Sequence, residues 1–144
     1  MLALGAAFGG DSVILWKAAI VGAFATAAFD TVATELGQAF GKTPVLIPSG
    51  KRVPPGTEGA VSLEGTALGL SAAATLAVAA WLTHYLAFEF AMVAVAAAFV
   101  ATMVESWIGA ATESHPMKNE LLNLYNTALG AGLAAGISAW IIGI

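Results

Sequence analysis

Apolar residues run almost unbroken through four stretches of this chain, at 12–29, 66–86, 88–108 and 121–144, and charged residues gather between them. Each stretch is close to the roughly 20 residues a helix needs to cross a hydrocarbon core. Alanine and glycine dominate all four, a composition that suits close helix packing in lipid. Gly65 with Gly69, and Gly132 with Gly136, repeat the small-xxx-small spacing, although 16 glycines make that spacing common by chance. The pattern predicts an all-α, polytopic integral membrane protein of about four transmembrane helices. One membrane domain then divides into an apolar N-terminal remnant at 1–11, helices at 12–40, 66–86, 88–112 and 119–144, a Gly/Pro-rich loop at 41–65 and a short loop at 113–118. The first eight residues would span only about 12 Å as a helix, too short to cross.

Composition removes most function classes. The chain is 59% apolar and 10% charged, against roughly 45–50% and about 25% in an average soluble domain, and its mean hydropathy is +0.86. An ordinary soluble enzyme, a disordered tail and a disulfide scaffold are excluded. The absence of cysteine removes iron–sulfur, thiolate–zinc and cysteine-nucleophile chemistry. His84 and His115 are too few for a histidine-rich metal centre, and the five basic residues are too few for nucleic-acid binding.

The placement of charge is more informative than its sum. Lys42, Lys51 and Arg52 lie in the loop at 41–65 and Lys118 in the loop at 113–118, whereas the turn around His84 and Glu89 has no Lys or Arg. Positive loops stay in the cytoplasm, so both basic loops are expected there. The same face collects Asp30, Glu35, Glu58, Glu64, Glu105, Glu113 and Glu120, with Asn119, Asn123 and Asn126 at the start of the fourth helix. An ionised side chain deep in a bilayer costs at least about 2.5–3.5 kcal/mol. Asp30 and Glu105, flanked by apolar helix, therefore ask for a partner or a bound ion. Acids at helix ends also occur as simple solvated groups, and the asparagine stripe also reads as interhelical hydrogen bonding. Lys17 reads as a snorkelling side chain.

The loop segment Lys51-Arg52-Val53-Pro54-Pro55-Gly56-Thr57-Glu58-Gly59 carries the strongest local chemistry. Prolines pre-set the backbone, glycines let amides approach an anion, and adjacent cations can neutralise phosphate oxygens. Acids from the helices could hold Mg²⁺ between those oxygens, since Mg²⁺ takes one or two carboxylates plus phosphate. The segment reads equally as a Pro-Pro-Gly turn with solvated charges. Gly41-Lys42-Thr43 is not a Walker motif, because only three residues separate it from Gly37 and it follows a helix.

Asp30-Thr31-Val32-Ala33-Thr34-Glu35-Leu36-Gly37, the 51–62 segment, Glu64-Gly65-Thr66, Glu105-Ser106-Trp107-Ile108-Gly109-Ala110, and Asn119-Glu120 with Asn123 together resemble one family. It is the integral-membrane family of transmembrane protein 19, which includes the phytyl-phosphate kinases of vitamin E biosynthesis. Asp30, Ala33, Gly37, Phe40, Gly41 and Lys42 also resemble the pattern of phytol and dolichol kinases and cytidylyltransferases, with Gly56-Thr57-Glu58-Gly59 similar to a later stretch of theirs. The resemblance implies a nucleotide site using CTP or another nucleoside triphosphate with Mg²⁺, and an isoprenyl or phytyl phosphate as lipid substrate. It implies Asp30, Glu35 and Glu105 at the metal. Lys42, Lys51, Arg52, Gly56, Thr57, Glu58, Gly59, Asn119 and Asn123 would lie at the phosphates and nucleotide. Typical members carry additional N-terminal helices, so a second copy of the chain or a separate N-terminal half is the expected partner.

The resulting expectation is a cytoplasm-facing kinase of an isoprenoid-alkyl monophosphate. Lys51 and Arg52 would stabilise the transferring phosphoryl group. A monophosphate acceptor is largely ionised near pH 7 and needs no base; an alcohol acceptor would need one, with Asp30 as candidate. The rivals are an ion-coupled membrane carrier and a non-catalytic membrane subunit.

Overall fold

The computed structural model describes residues 9–111 and 119–144. The N-terminal remnant and the loop carrying Glu113, His115 and Lys118 lie outside the described residues. Four helices organise the rest: α1 (Gly10–Phe40), α2 (Leu63–Leu82), α3 (Phe88–Ala111) and α4 (Asn119–Ile142). All four are long and apolar enough to cross a membrane. Between α1 and α2 the chain forms two short strands, β1 (Val45–Leu46) and β2 (Ala60–Val61). They pair antiparallel, Val45 opposite Val61 and Leu46 opposite Ala60.

Local chemistry sets the ends. α1 has 31 residues and runs about 46 Å at 1.5 Å per residue, well beyond a hydrocarbon core of about 30 Å. Its last turns carry the exposed Thr34, Glu35 and Gln38. α2 begins at Leu63, ahead of the hydropathy boundary at Thr66, because the Ser62 hydroxyl accepts from the Gly65 N–H at 3.1 Å. That bond satisfies one of the free donors of the first turn. α2 stops at Leu82 because His84 takes φ +56°, and the Tyr85 N–H closes back on the Ala80 carbonyl at 2.9 Å. At this end Lys17 Nζ lies 5.1 Å from the centre of the Tyr85 ring, a favourable cation–π distance.

α1 packs against all three other helices, most extensively against α2 and α4. The core is built from small residues: Ala18, Ala25, Ala73, Ala77, Ala94, Ala98 and Ala134 are all buried. Phe29 fills the middle and meets Phe99 edge-on, ring centres 6.1 Å apart. Large side chains point outward instead; Trp16, Phe24 and Trp140 are exposed. In lipid this inversion is natural, since apolar surface gains little by leaving the acyl chains and contact energy comes from close backbone approach.

The two small-xxx-small pairs take opposite roles. A Cβ on Gly65 would stand 2.6 Å from the Ala33 carbonyl oxygen, and one on Gly69 would stand 2.7 Å from that of Phe29. Gly132 and Gly136 have nothing within 4 Å of that position. Gly69→Val is expected to force α1 and α2 apart, costing about 1–3 kcal/mol, and to lower the thermal midpoint in detergent. Gly136→Ala should leave that midpoint unchanged or raise it, by up to about 1 kcal/mol. Equal losses in both variants would place the helix contacts elsewhere.

Candidate functional site

Helical spacing brings Asp30, Ala33, Thr34 and Gly37 to one side of α1, and Thr102, Glu105, Ser106 and Gly109 to one side of α3. Between these faces, at the loop end of the bundle, lies a cavity of about 620 Å³. Its wall is completed by the Pro55–Ser62 stretch, by Thr66 of α2, and by Leu122 and Asn123 of α4.

Two half-buried carboxyl groups meet in this cavity: Asp30 of α1 and Glu105 of α3 interact side chain to side chain. Asn126 of α4, only 1% exposed, donates its amide Nδ2 to Glu105 Oε2. Three helices thus contribute to one polar layer, about two turns inside the loop-side ends of α3 and α4. Two carboxylates in contact do not both keep full charge in such surroundings unless a proton or a cation lies between them. No third Asp, Glu or His among the described residues joins the pair. Mg²⁺ sites commonly use only one or two carboxylates, the remaining positions going to water and phosphate. The pair fits that donor set.

The loop wall is fixed by backbone chemistry. Thr57 bonds back to the Pro54 carbonyl through its hydroxyl at 2.8 Å, and the Ala60 N–H bonds to the Thr57 carbonyl at 3.1 Å. Gly56 and Gly59 take φ +86° and +71°, a region that favours glycine. Gly59 also lies directly on α3: a Cβ there would stand 2.7 Å from the Ser106 carbonyl oxygen and 2.8 Å from Ala110 Cα. No side chain fits between loop and helix at this point.

Most of the residues singled out from sequence converge here. Asp30, Glu35, Gly56, Thr57, Glu58, Gly59, Glu105 and Asn123 all line the cavity. Glu35 is exposed on the outer part of α1. Lys42, Lys51 and Arg52 are exposed and are not among the lining residues. Lys42 contributes its backbone N–H, which donates to Glu64 Oε2 at 3.4 Å. Lys51 and Arg52 lie on a hairpin arm whose Val45 bridges to Arg52, with the Val53 N–H bonded to the Pro44 carbonyl at 3.0 Å. Asn119 opens α4, and its side chain lies outside the described residues. Thr66, part of the Glu64-Gly65-Thr66 motif, also lines the cavity, as do Gln38 and Thr102, which were not singled out from sequence. For Thr102 a signal existed, three residues before Glu105 on the same helical face.

Comparison with known proteins gives consistent matches. A family model described as integral membrane protein DUF92 matches residues 1–138. The chain is 44% identical over 142 residues to the uncharacterized membrane protein sll0875 of Synechocystis sp., a match covering 96% of this chain and 55% of that protein. It is 37% identical over 132 residues to protein VTE6, chloroplastic, of Arabidopsis thaliana, covering 89% of this chain and 40% of that protein. The chain therefore spans about half the length, or less, of these curated relatives. No solved structure matches.

The contact at Gly59 predicts its own test. Gly59→Ala is expected to lift the loop from α3 and to speed backbone hydrogen exchange across residues 54–61 by roughly tenfold or more. Gly50→Ala shares the positive φ, at +63°, but has nothing within 4 Å, so exchange in 54–61 should stay as in the parent. Unchanged exchange in Gly59→Ala would show that the loop is held by other contacts.

Proposed function

We propose a function from one premise: the chain belongs to the DUF92 family of integral membrane proteins. It is a multi-pass membrane protein that acts as a nucleotide-dependent phosphotransferase on an isoprenoid-alkyl monophosphate, in the manner of the phytyl-phosphate kinases its motifs resemble. The observation that carries this reading is the cavity in which the Asp30 and Glu105 carboxyls meet below a rigid Pro-Pro-Gly-Thr-Glu-Gly loop.

Within this reading Asp30 and Glu105 hold Mg²⁺, with Glu35 further out on the same wall. The ion neutralises phosphate charge when bound. Gly56, with only Gln38 near the place a side chain would take, leaves the loop backbone open to phosphate oxygens, while Gly59 seats the loop on α3. Lys51 and Arg52, on the exposed arm beside the loop, meet charge spreading over the transferring phosphoryl group. Asn123 and the Thr57-Glu58 stretch belong to the nucleotide side. An oxygen of the ionised lipid monophosphate attacks the terminal phosphorus of CTP or another nucleoside triphosphate. The bond to the nucleoside diphosphate breaks, and a lipid diphosphate forms. No general base is needed, because the acceptor is already largely ionised near pH 7.

The walls of the cavity support this over a carrier. On α1 they begin at Asp30, and on α4 they reach only Asn123, so the lining belongs to one end of the bundle. Carriers place their site near the midplane with access from both sides. The basic loop supports a cytoplasmic orientation.

Two experiments test the reading. In liposomes, wild-type protein should transfer radiolabelled phosphate from CTP to an isoprenyl monophosphate, and Asp30→Asn should abolish transfer while remaining folded. Arg52→Ala should lower kcat roughly a hundredfold, the typical value of one such contact. Robust transfer by either variant would remove that residue from the mechanism. Substrate-driven ion flux without transfer would establish a carrier. For orientation, the cysteine-free chain allows single cysteines at Ser49 and Thr83. An impermeant reagent on intact cells should label Thr83→Cys and spare Ser49→Cys; the reverse pattern would invert the topology.

A further inference from the structure

Among the described residues, two buried helix hydroxyls, Thr102 and Ser138, lack the bond that five others make, and of the two only Thr102 lines the cavity. Thr26, Ser71, Thr75, Thr83 and Thr127 each donate to the carbonyl one turn back, at 2.7 or 2.8 Å. That bond is the ordinary way for a hydroxyl to be satisfied in an apolar helix. Thr102 is 3% exposed, and its Oγ1 is buried without a partner. A buried hydroxyl left so is costly unless something else meets it. Thr102 lines the same cavity as Asp30 and Glu105. It stands one turn deeper than Glu105 on the same face of α3.

Asn126 adds a second irregularity at the same level. Its Nδ2 donates to Glu105, which fixes the direction of the amide, and its Oδ1 is buried without a partner. The layer is therefore rich in oxygens able to accept: two carboxyls, a hydroxyl and an amide carbonyl. A phosphate group asks for donors; a hard cation asks for oxygens such as these.

Resting on the reading that Asp30 and Glu105 hold a divalent cation, we infer that Thr102 Oγ1 is the third protein oxygen of that site. Asn126 is its positioning residue and holds the Glu105 carboxylate in place. Two anionic oxygens and one neutral oxygen leave the other positions of an octahedron to water and phosphate, as Mg²⁺ prefers. This explains how a cation is held where no third Asp, Glu or His among the described residues joins the pair. It also places the ion at the deep end of the cavity, below the loop.

The test uses Mn²⁺ as the probe and the chain purified in detergent micelles, with free and bound ion read by electron paramagnetic resonance. Wild-type protein should bind Mn²⁺, and Asp30→Asn should not. Thr102→Val keeps the shape and loses the hydroxyl; it should weaken binding roughly tenfold, and Thr102→Ser should restore it to within about threefold. Asn126→Ala should weaken binding by roughly 10–100-fold and broaden the spectrum of the bound ion, because the carboxylate it steadied becomes mobile. Circular dichroism and a single elution peak establish that each variant is folded; if Thr102→Val fails this, Thr102→Ala replaces it. Unchanged Mn²⁺ binding in Asp30→Asn would overturn the reading of the carboxylate pair itself. Loss of binding in Asp30→Asn beside wild-type affinity in the folded Thr102 variant would overturn the inference alone.

Discussion

Lipid offers two helices no hydrophobic reason to associate, so what holds this bundle is how closely backbones approach. That closeness converges on α1. Gly65 and Gly69 of α2 lie against the backbone at Phe29, Ala33 and Gly37, and Gly22 and Thr26 lie against Gly130 and Ala134 of α4. The polar layer continues this register. One turn beyond Thr26 comes Asp30, and one turn from Gly130 in the same direction comes Asn126. The contact that nests Thr26 against Gly130 therefore also brings the amide of Asn126 to Glu105, beside Asp30. Packing and site are one arrangement, and a change in the first propagates to the second.

Much of this was legible from residue pattern, for identifiable reasons. Long apolar runs have one economical solution in lipid, a helix that satisfies its own backbone, so the four helices follow from hydropathy. Asp30 and Glu105 were conspicuous because an ionisable group inside an apolar run is expensive. Their direct contact was not legible, because it depends on the rotation of α1 against α3 rather than on spacing within either. Thr102 offered only its spacing from Glu105, and a threonine in an apolar helix normally bonds to its own backbone; only three-dimensional placement shows that this one does not. Strands of two residues are too short to display alternation, so the β1–β2 pairing was hidden as well.

The loop illustrates how neighbours in sequence part in space. Lys51 and Arg52 precede the Gly56–Gly59 stretch closely, yet β1 separates them. Val45 pairs with Val61 on one side and bridges to Arg52 on the other. The arm bearing the cations and the stretch lining the cavity therefore hang from a common backbone segment. A displacement of either is felt by β1, which gives two chemically different parts of the loop a shared mechanical anchor.

The length of α1 bears on how the bundle sits in the membrane. A helix of about 46 Å exceeds the core of a typical bilayer by roughly 16 Å. Its apolar run at 12–29 spans only about 27 Å, so the surplus is polar helix rather than hydrophobic mismatch. The loop-side end of α1 is tied to α2 through Gly37 and Gly65 and to the β ribbon beyond. The opposite end is held as well, by Ala18 and Val21 against Leu86, Phe90 and Ala134 and by Lys17 over the Tyr85 ring. With both ends tied, a change in bilayer thickness acts on the four helices together rather than on one end of α1. The polar layer at Asp30, Glu105 and Asn126 draws on three of those helices and moves with them as one body.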